Sequence, residues 1–283
     1  MNLITWNIQW GRGCDGRVDL KRIVDAALGM ADADVLCFQE VARNYPELPG
    51  SAGEDQFAAL AGLLPGYRRI EGIATNTPAA DGTRRQFGNA IYSRLPVLQV
   101  FPHLLPWPAD PDVPSMQRVA LEAVLQTGSG PIRVTTTHLE YYSLKQRAAQ
   151  VERLRELHAD AAAHVRDVDH PDKAGGPFVT HPRPVSGILT ADFNFQPDDP
   201  LHARLMAPYA DATPRLCDAW ALRHPGRAHD PTIGVFDREQ WPAASCFDFV
   251  FVSEDLAGRV RDLRVNLDTD ASDHQPVLLV LDI

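Results

Sequence analysis

Gly187-Ile188-Leu189-Thr190-Ala191-Asp192-Phe193-Asn194 is an apolar run that stops on an acid and an amide. Its aliphatic and β-branched residues as far as Ala191 read as a buried strand. Asp192 and Asn194 are two positions apart, so on an extended segment they point to one side. One acid at one strand end only marks the return of the chain to water. Here the pattern recurs: the run 3–8 closes around Asn7 and Gln9, the run 35–38 passes into Gln39-Glu40, and the run 132–137 stops at His138. Several such ends drawn together form a cleft lined by Asn, Glu, His and Asp. That set offers oxygen ligands to a hard divalent cation and N–H donors to phosphate oxygens.

Outward from this stretch, further apolar or alternating runs predict strands at 3–9, 35–41, 89–93, 119–126, 132–138, 187–191, 247–253, 260–267 and 276–281. Helical spacing lies between them. Leu20, Ile23, Val24, Ala27 and Leu28 follow the i, i+3, i+4, i+7, i+8 pattern, and Phe57, Leu60, Ala61 and Leu64 predict a short second helix. The longest helix is expected at 144–166, with Val151, Leu154, Leu157, Ala161 and Val165 on one stripe and Glu152, Arg153, Arg155 and Glu156 on a solvated face. Ser143 and Gln146 fit a capping box at its start. Two proline-rich stretches, 101–114 and 169–184, read as long surface loops. Strand patterns continue on both sides of each, so neither reads as a domain linker. The expectation is one α+β domain over 1–283, with two packed sheets and outer helices.

The 283 residues are 45% hydrophobic and 23% charged, which excludes a disordered or fibrous chain. No apolar run reaches the length of a membrane helix, and the start at Met1 has no signal-like segment, so a cytoplasmic location is expected. Cys14, Cys37, Cys217 and Cys246 show no CxxC spacing, and Cys37 and Cys246 read as reduced core residues. The net charge of −10 disfavours tight, sequence-blind binding to nucleic acid, whose affinity comes largely from Lys and Arg. It does not exclude phosphate chemistry, because clustered acids can hold a cation that then receives phosphate.

Two more motifs carry chemistry. Phe247-Asp248-Phe249-Val250-Phe251 puts an acid inside an apolar strand, where it needs a partner. Ser272-Asp273-His274-Gln275-Pro276 lies just before the last strand and supplies a histidine, whose tautomer such an acid would fix. In order along the chain, Thr5-Trp6-Asn7, Gln39-Glu40-Val41, Gly88-Asn89-Ala90, Thr137-His138-Leu139, Asp192-Phe193-Asn194, Asp248-Phe249-Val250-Phe251 and Ser272-Asp273-His274 resemble the motifs of the endonuclease/exonuclease/phosphatase superfamily. That superfamily includes DNase I, exonuclease III, sphingomyelinases and inositol polyphosphate 5-phosphatases. The resemblance implies a four-layer α/β-sandwich and hydrolysis of phosphate esters with a divalent metal, Mg²⁺ or its substitute Mn²⁺.

Site roles follow from the same resemblance. Glu40 is similar to the principal metal-binding glutamate, Asn7 to the asparagine beside it that binds metal through water or orients phosphate, and Asp273 to a further metal-site carboxylate. His274 matches the general base and Asp248 the acid that holds it. Asp192 and Asn194 match the pair that handles phosphate and leaving group, and His138 a residue that stabilises the transition state. Arg118 resembles a phosphate-contacting arginine. Gln9 and Asn89 are expected to support these groups from behind.

Other polar clusters read as structural. Asp167, Asp169 and His170 have metal-ligand types but lie in a Pro/Gly-rich loop. Asp218 reads as a helix or turn position beside Trp220, and His158 and His164 as helix residues. Trp107, Tyr141, Tyr142 and Trp241 could stack on a base, touch a lipid chain or pack a rim. The expected substrate is a phosphodiester, either nucleic acid or a small or lipid diester. A phosphomonoester, or partner binding without turnover on the same fold, are the alternatives. No Lys/Arg run forms a nucleic-acid track, Arg84-Arg85 being the densest basic pair before Gly88-Asn89, and no protein partner is indicated.

Overall fold

Strands that run parallel need a long crossover between them, and among the described residues two strand pairs are parallel, each with a helix between its strands. The computed structural model describes residues 1–79, 81–167 and 176–283. In chain order the strands are β1 (Asn2–Asn7), β2 (Val35–Arg43), β3 (Arg68–Pro78), β4 (Arg84–Ser93), β5 (Val97–Leu104), β6 (Val119–Thr127), β7 (Gly130–His138), β8 (Gly187–Asp192), β9 (Leu216–Asp218), β10 (Asp248–Ser253), β11 (Val260–Val265) and β12 (Val277–Leu281). The helices are α1 (Leu20–Met30), α2 (Gln56–Leu63), α3 (Leu144–Asp167), α4 (Pro200–Met206) and α5 (Ala219–Arg223). One sheet has the order β11-β12-β1-β2-β4-β3 and the other β5-β6-β7-β8-β10-β9. In each sheet the central pair is parallel, β1 with β2 and β7 with β8, and the other pairs are antiparallel. Both sheets are therefore mixed and built on one plan.

Alternation along the strands separates three cores. Leu3, Val35, Cys37 and Ile91 of the first sheet pack against Leu121, Ala123, Val134, Ile188 and Val250 of the second. The opposite face of the first sheet (Ile4, Trp6, Leu36, Phe38, Tyr92) buries against Ile23, Val24 and Ala27 of α1 and Phe57 and Leu60 of α2. The opposite face of the second (Leu189, Ala191, Phe249, Phe251) buries against Val151, Leu154 and Leu157 of α3 and Leu205 of α4. Helix, sheet, sheet, helix is the four-layer α/β-sandwich that was expected.

The inward-facing positions grade from apolar to polar toward one end: Leu3, Thr5, Asn7 on β1; Val35, Cys37, Gln39 on β2; Val134, Thr136, His138 on β7; Ile188, Thr190, Asp192 on β8. β10 runs the other way, and its first residue, Asp248, stands opposite Asp192. Two amides tie the sheets together near this end. Gln39 Nε2 donates to Thr5 Oγ1 (3.1 Å) and Thr136 Oγ1 (2.8 Å), and Asn89 Nδ2 donates to the Val119 carbonyl (3.0 Å).

Several local expectations need correction. β3, β5 and β9 were not foreseen. β3 is mostly polar and lies at a sheet edge, held by its ladder with β4. β5 takes the first residues of the supposed loop 101–114, and Pro102 is tolerated there because β5 is an edge strand. On α3, Val165 is exposed, whereas Arg155 is buried and donates to the carbonyls of Arg204, Leu205 and Ala207 at the end of α4. Half of the capping box forms: Gln146 N donates to Ser143 Oγ (3.1 Å), but the Gln146 side chain turns to the Pro108 carbonyl instead. His158 is buried between Arg133 and the Pro214 carbonyl. All four cysteines are free, with Cys37 and Cys246 buried. Among the described residues no helix is long and apolar enough to cross a membrane.

A side chain at Gly88 would bring its Cβ within 2.0 Å of the Gly72 carbonyl oxygen, on the β4–β3 ladder one residue before Asn89. Gly88→Ala is therefore expected to cost at least about 2 kcal/mol, in the range of overpacking damage, read as a lowered urea midpoint.

Candidate active site

The polar ends of β1, β2, β7, β8 and β10, with the segment before β12, surround a cleft of roughly 400 Å³ lined by Gln9, Glu40, Arg118, His138, Asp192, Asn194, Asp273 and His274. Its position follows the rule for open sheets, in which ligands sit beyond the carboxyl ends of parallel strands. A break in the β2–β4 register between Phe38 and Val41 bulges Glu40 out of the ladder, and Glu40 has φ +59°. Among the described residues five non-glycine positions have positive φ, and four of them, Gln9, Trp10, Glu40 and Asn194, line this cleft. Such strain persists only where the surroundings impose it.

Asp192 is the hub. Its Oδ2 accepts from Asn7 Nδ2 at 2.9 Å and lies 3.4 Å from His138 Nε2 and 3.5 Å from His274 Nε2; its Oδ1 accepts the Asn194 backbone N–H at 3.0 Å. Asn7 Nδ2 also reaches Glu40 Oε1 at 3.2 Å, while Asn7 Oδ1 accepts the Gln9 N–H at 3.1 Å. In this arrangement the Asn7 amide turns its donors, not its oxygen, toward the acids. His138 Nδ1 stands 3.6 Å from Glu40 Oε1. On the far wall His274 Nδ1 meets Asp248 Oδ2 at 2.8 Å. The His274 backbone is pinned by Trp6 Nε1 donating to its carbonyl at 2.9 Å, and Ser272 Oγ donates to the Asn7 carbonyl at 2.8 Å. Asp273 Oδ2 accepts from Gln240 Nε2 (3.1 Å) and Trp241 Nε1 (3.2 Å).

Arg118 is buried, pairs through Nε with Glu140 at 3.2 Å, and keeps one terminal nitrogen without a partner. Glu140 was not foreseen. It also accepts the backbone N–H groups of Tyr141 and Tyr142, both at 3.0 Å, so one acid fastens an arginine and an aromatic pair at the cleft edge. The i, i+2 spacing from His138 was the available signal. Tyr141, Tyr142 and Trp241 do line the cleft, with Tyr141 edge-on to both of the others; Trp107 does not line it and donates to Ser115 Oγ. Trp10 and Gln240 are further lining residues that were missed. Asn89 stands one layer back, on the carbonyl of Val119 next to Arg118. The described part of the loop 169–184 lies by β5 and the end of α3, where Arg183 pairs with Glu122. Asp169 and His170, and the side chain of Asp167, lie outside the described residues. Arg84 and Arg85 are engaged by Asn76 and Glu47.

Electrostatics follow from burial and crowding. Glu40 is pushed up to about 7 by burial and then by Asp273. Asp192 rises to about 6 through burial and Asp248, against the pull of His274. Burial alone would lower His274, but Asp248, Asp192 and Asp273 outweigh it and raise its pKa well above 6.5. His138 is driven well below 6.5 by burial, then by Arg118 and His274. Among the described residues no Lys or Arg forms an ion pair with Glu40, Asp192, Asp248 or Asp273. Crowded acid oxygens without a fixed cation fit a hard divalent ion such as Mg²⁺.

A mixed-sheet α/β-sandwich with an acid- and histidine-lined cleft at the strand ends defines the DNase I-like class. The chain belongs to the endonuclease/exonuclease/phosphatase family of phosphoester hydrolases, whose model matches residues 4–274. Solved structures agree on the fold. An endonuclease/exonuclease/phosphatase from Beutenbergia cavernae is similar over 99% of this chain and 70% of its own, with 26% identity and a TM-score of 0.65. D. rerio TDP2 in complex with a single-strand DNA product is similar over 100% of this chain and 99% of its own, at 19% identity and a TM-score of 0.64. A mannosyl-6-phosphatase from Bacteroides thetaiotaomicron is similar over the whole of both chains, at 17% identity and a TM-score of 0.64. No protein of curated function matches the chain.

The raised values set a pH dependence. A group whose folded pKa lies above its unfolded one loses its stabilising share as pH rises through the folded value. Glu40 (4.5 to about 7), Asp192 (3.8 to about 6) and His274 all act in this direction, so these three groups destabilise the EDTA-treated protein progressively as pH rises from 3.8 to beyond 7. Mg²⁺ is expected to offset this loss, and the Tm difference between Mg²⁺ and EDTA samples to widen from pH 5 to 8. A difference that stays constant or narrows over that range would contradict the assignment.

Proposed function

We propose that this chain is a divalent-metal-dependent hydrolase of a phosphodiester, with water attack assisted by His274. The observation that carries this reading is the His274–Asp248 pair, 2.8 Å apart, with His274 facing the same cleft as Glu40, Asp273 and Arg118. Glu40 and Asp273 would hold the metal, with Asn7 beside it; when bound, the metal neutralises phosphate charge and favours departure of the leaving oxygen. Asp248 holds His274 Nδ1, which leaves Nε2 to take a proton from water once the ring is neutral. The Asp192 carboxylate, 3.5 Å from that Nε2, orients the ring and the water beside it. His138 and Arg118 donate to phosphate oxygens as charge builds on them, and Asn194 serves the leaving-group side. Gln9 holds the Asn7 amide through its backbone N–H, and Asn89 supports Arg118 through the neighbouring carbonyl. The net charge of −10 and the engaged Arg84 and Arg85 favour a small diester over sequence-blind binding along a duplex.

The test is turnover of bis-p-nitrophenyl phosphate with Mg²⁺ or Mn²⁺, abolished by EDTA. No metal-dependent turnover on a panel of phosphodiesters and monoesters, DNA included, would instead favour a binding scaffold. His274→Asn should lower kcat by about 10²–10⁴-fold. In the parent, kcat/KM should rise with pH as His274 loses its proton. Because Asp248 raises the His274 pKa, Asp248→Asn should move that rising limb to lower pH and reduce its plateau. An unmoved limb would remove His274 from the base role.

A further inference from the structure

A second convergence of titratable side chains lies on the opposite face of β10 from the cleft. His202 on α4, Asp218 at the end of β9 and His229 in the turn after α5 bring one ligand atom each to within 4.8 Å of one another. His202 Nε2 lies 2.9 Å and His229 Nε2 2.7 Å from the same oxygen, Asp218 Oδ2. The other oxygen of Asp218 accepts the Trp220 N–H at 2.8 Å and caps α5. This is the helix position the sequence suggested, but the two histidines were not foreseen.

Despite its burial the Asp218 carboxylate is held below its ordinary pKa by the hydrogen bonds from the two imidazoles. Asp218 is 3% exposed, and among the described residues its only ion-pairing partners are these two imidazoles; no Lys or Arg reaches it. A metal ion bound among the three side chains would take the place of the ring protons that now face Asp218. Rings surround the cluster: Phe249 and Phe251 lie 5.0 and 5.4 Å from His202, and Trp220 stacks on His229 at 5.6 Å. An apolar shell of this kind excludes water and strengthens a bound ion. His229 keeps 13% of its side chain exposed, which leaves a way in from solvent.

We propose that His202, Asp218 and His229 form a binding site for a borderline-soft divalent transition-metal ion, with Zn²⁺ the best match, separate from the oxygen-lined cleft. Two imidazole nitrogens, one carboxylate oxygen and one water make a four-coordinate set that Zn²⁺ accepts and Mg²⁺ does not favour. Each histidine nitrogen needs to part from Asp218 Oδ2 only from 2.9 or 2.7 Å to about 3.3 Å, the spacing of a tetrahedron with bonds of about 2.0–2.1 Å. A bound ion joins α4, the β9–α5 corner and the turn at 224–234 behind β10. Phe249 of that strand touches both histidines, while its neighbour Asp248 faces the cleft.

The probes are Co²⁺ and Zn²⁺, added to protein stripped with EDTA, freed of chelator and resupplied with saturating Mg²⁺. Co²⁺ should give the strong visible absorption of a four-coordinate site, and Zn²⁺ at about one hundred times its Kd should raise Tm by about 4 °C. His202→Gln and His229→Gln should each lose both signals, and His274→Asn should keep both. His229 sits at the rim, so His229→Gln decides the matter if His202→Gln fails to fold. The proposal is overturned if the parent shows no four-coordinate cobalt spectrum, if His229→Gln retains it, or if His274→Asn abolishes it, which would put the ion in the cleft. A purely hydrogen-bonded clamp predicts the first of these outcomes.

Discussion

A carboxylate buried where two sheets open is costly unless donors surround it, and Asp192 is such a carboxylate. It draws an asparagine from β1, a histidine from β7, a histidine from the segment before β12 and a backbone N–H from its own chain. Those donors come from both sheets, so the sandwich must close in one register for them to meet. Even so Asp192 stays raised, to about 6, and Glu40 beside it to about 7. The cleft is thus an electrostatic strain that the three apolar cores hold together, as pre-organised sites commonly are.

Backbone strain is concentrated in the same place. Glu40 leaves its ladder through a bulge into a left-handed conformation, and Gln9, Trp10 and Asn194 share that unusual φ. The inward faces of the strands carry aliphatic residues through the middle and change to Thr or Cys, then to Asn, Gln, His or Asp, at one end. Core packing fixes the side on which each of these residues emerges, because a slip of one position would turn every polar end away from the cleft.

Much of this was legible beforehand. The period-2 runs and the helical stripe of 144–166 are strong patterns, and they became β1, β2, β7, β8, β10 and α3 with small shifts at their ends. The polar strand ends were visible as single residues, and their order along the chain carried the family resemblance. What stayed hidden was edge structure and long-range pairing. β3 and β5 are edge strands without a clean apolar alternation, so their ladders, not their composition, make them strands. Arg155 looked like a solvated helix residue because nothing local announces the carbonyls of α4 that bury it. Gln240 was overlooked for the same reason, its partner Asp273 being far away in sequence, and the Arg118 that Glu140 fastens lies just before another strand.

The sequence by itself determined the type of the strongly patterned strands and helices, the candidate residues Asn7, Glu40, His138, Asp192, Asp248 and His274, and the acidic balance that disfavours a nucleic-acid track. These depend on local periodicity, side-chain chemistry and composition. Only the tertiary structure decided that the two sheets share one plan, that Asn7 turns its donors toward the acids, that Tyr141, Tyr142 and Trp241 edge the cleft, and that two histidines meet Asp218 behind it. Each of these depends on contacts between segments distant in the chain, and side-chain orientation at such contacts is set by packing that no local pattern encodes.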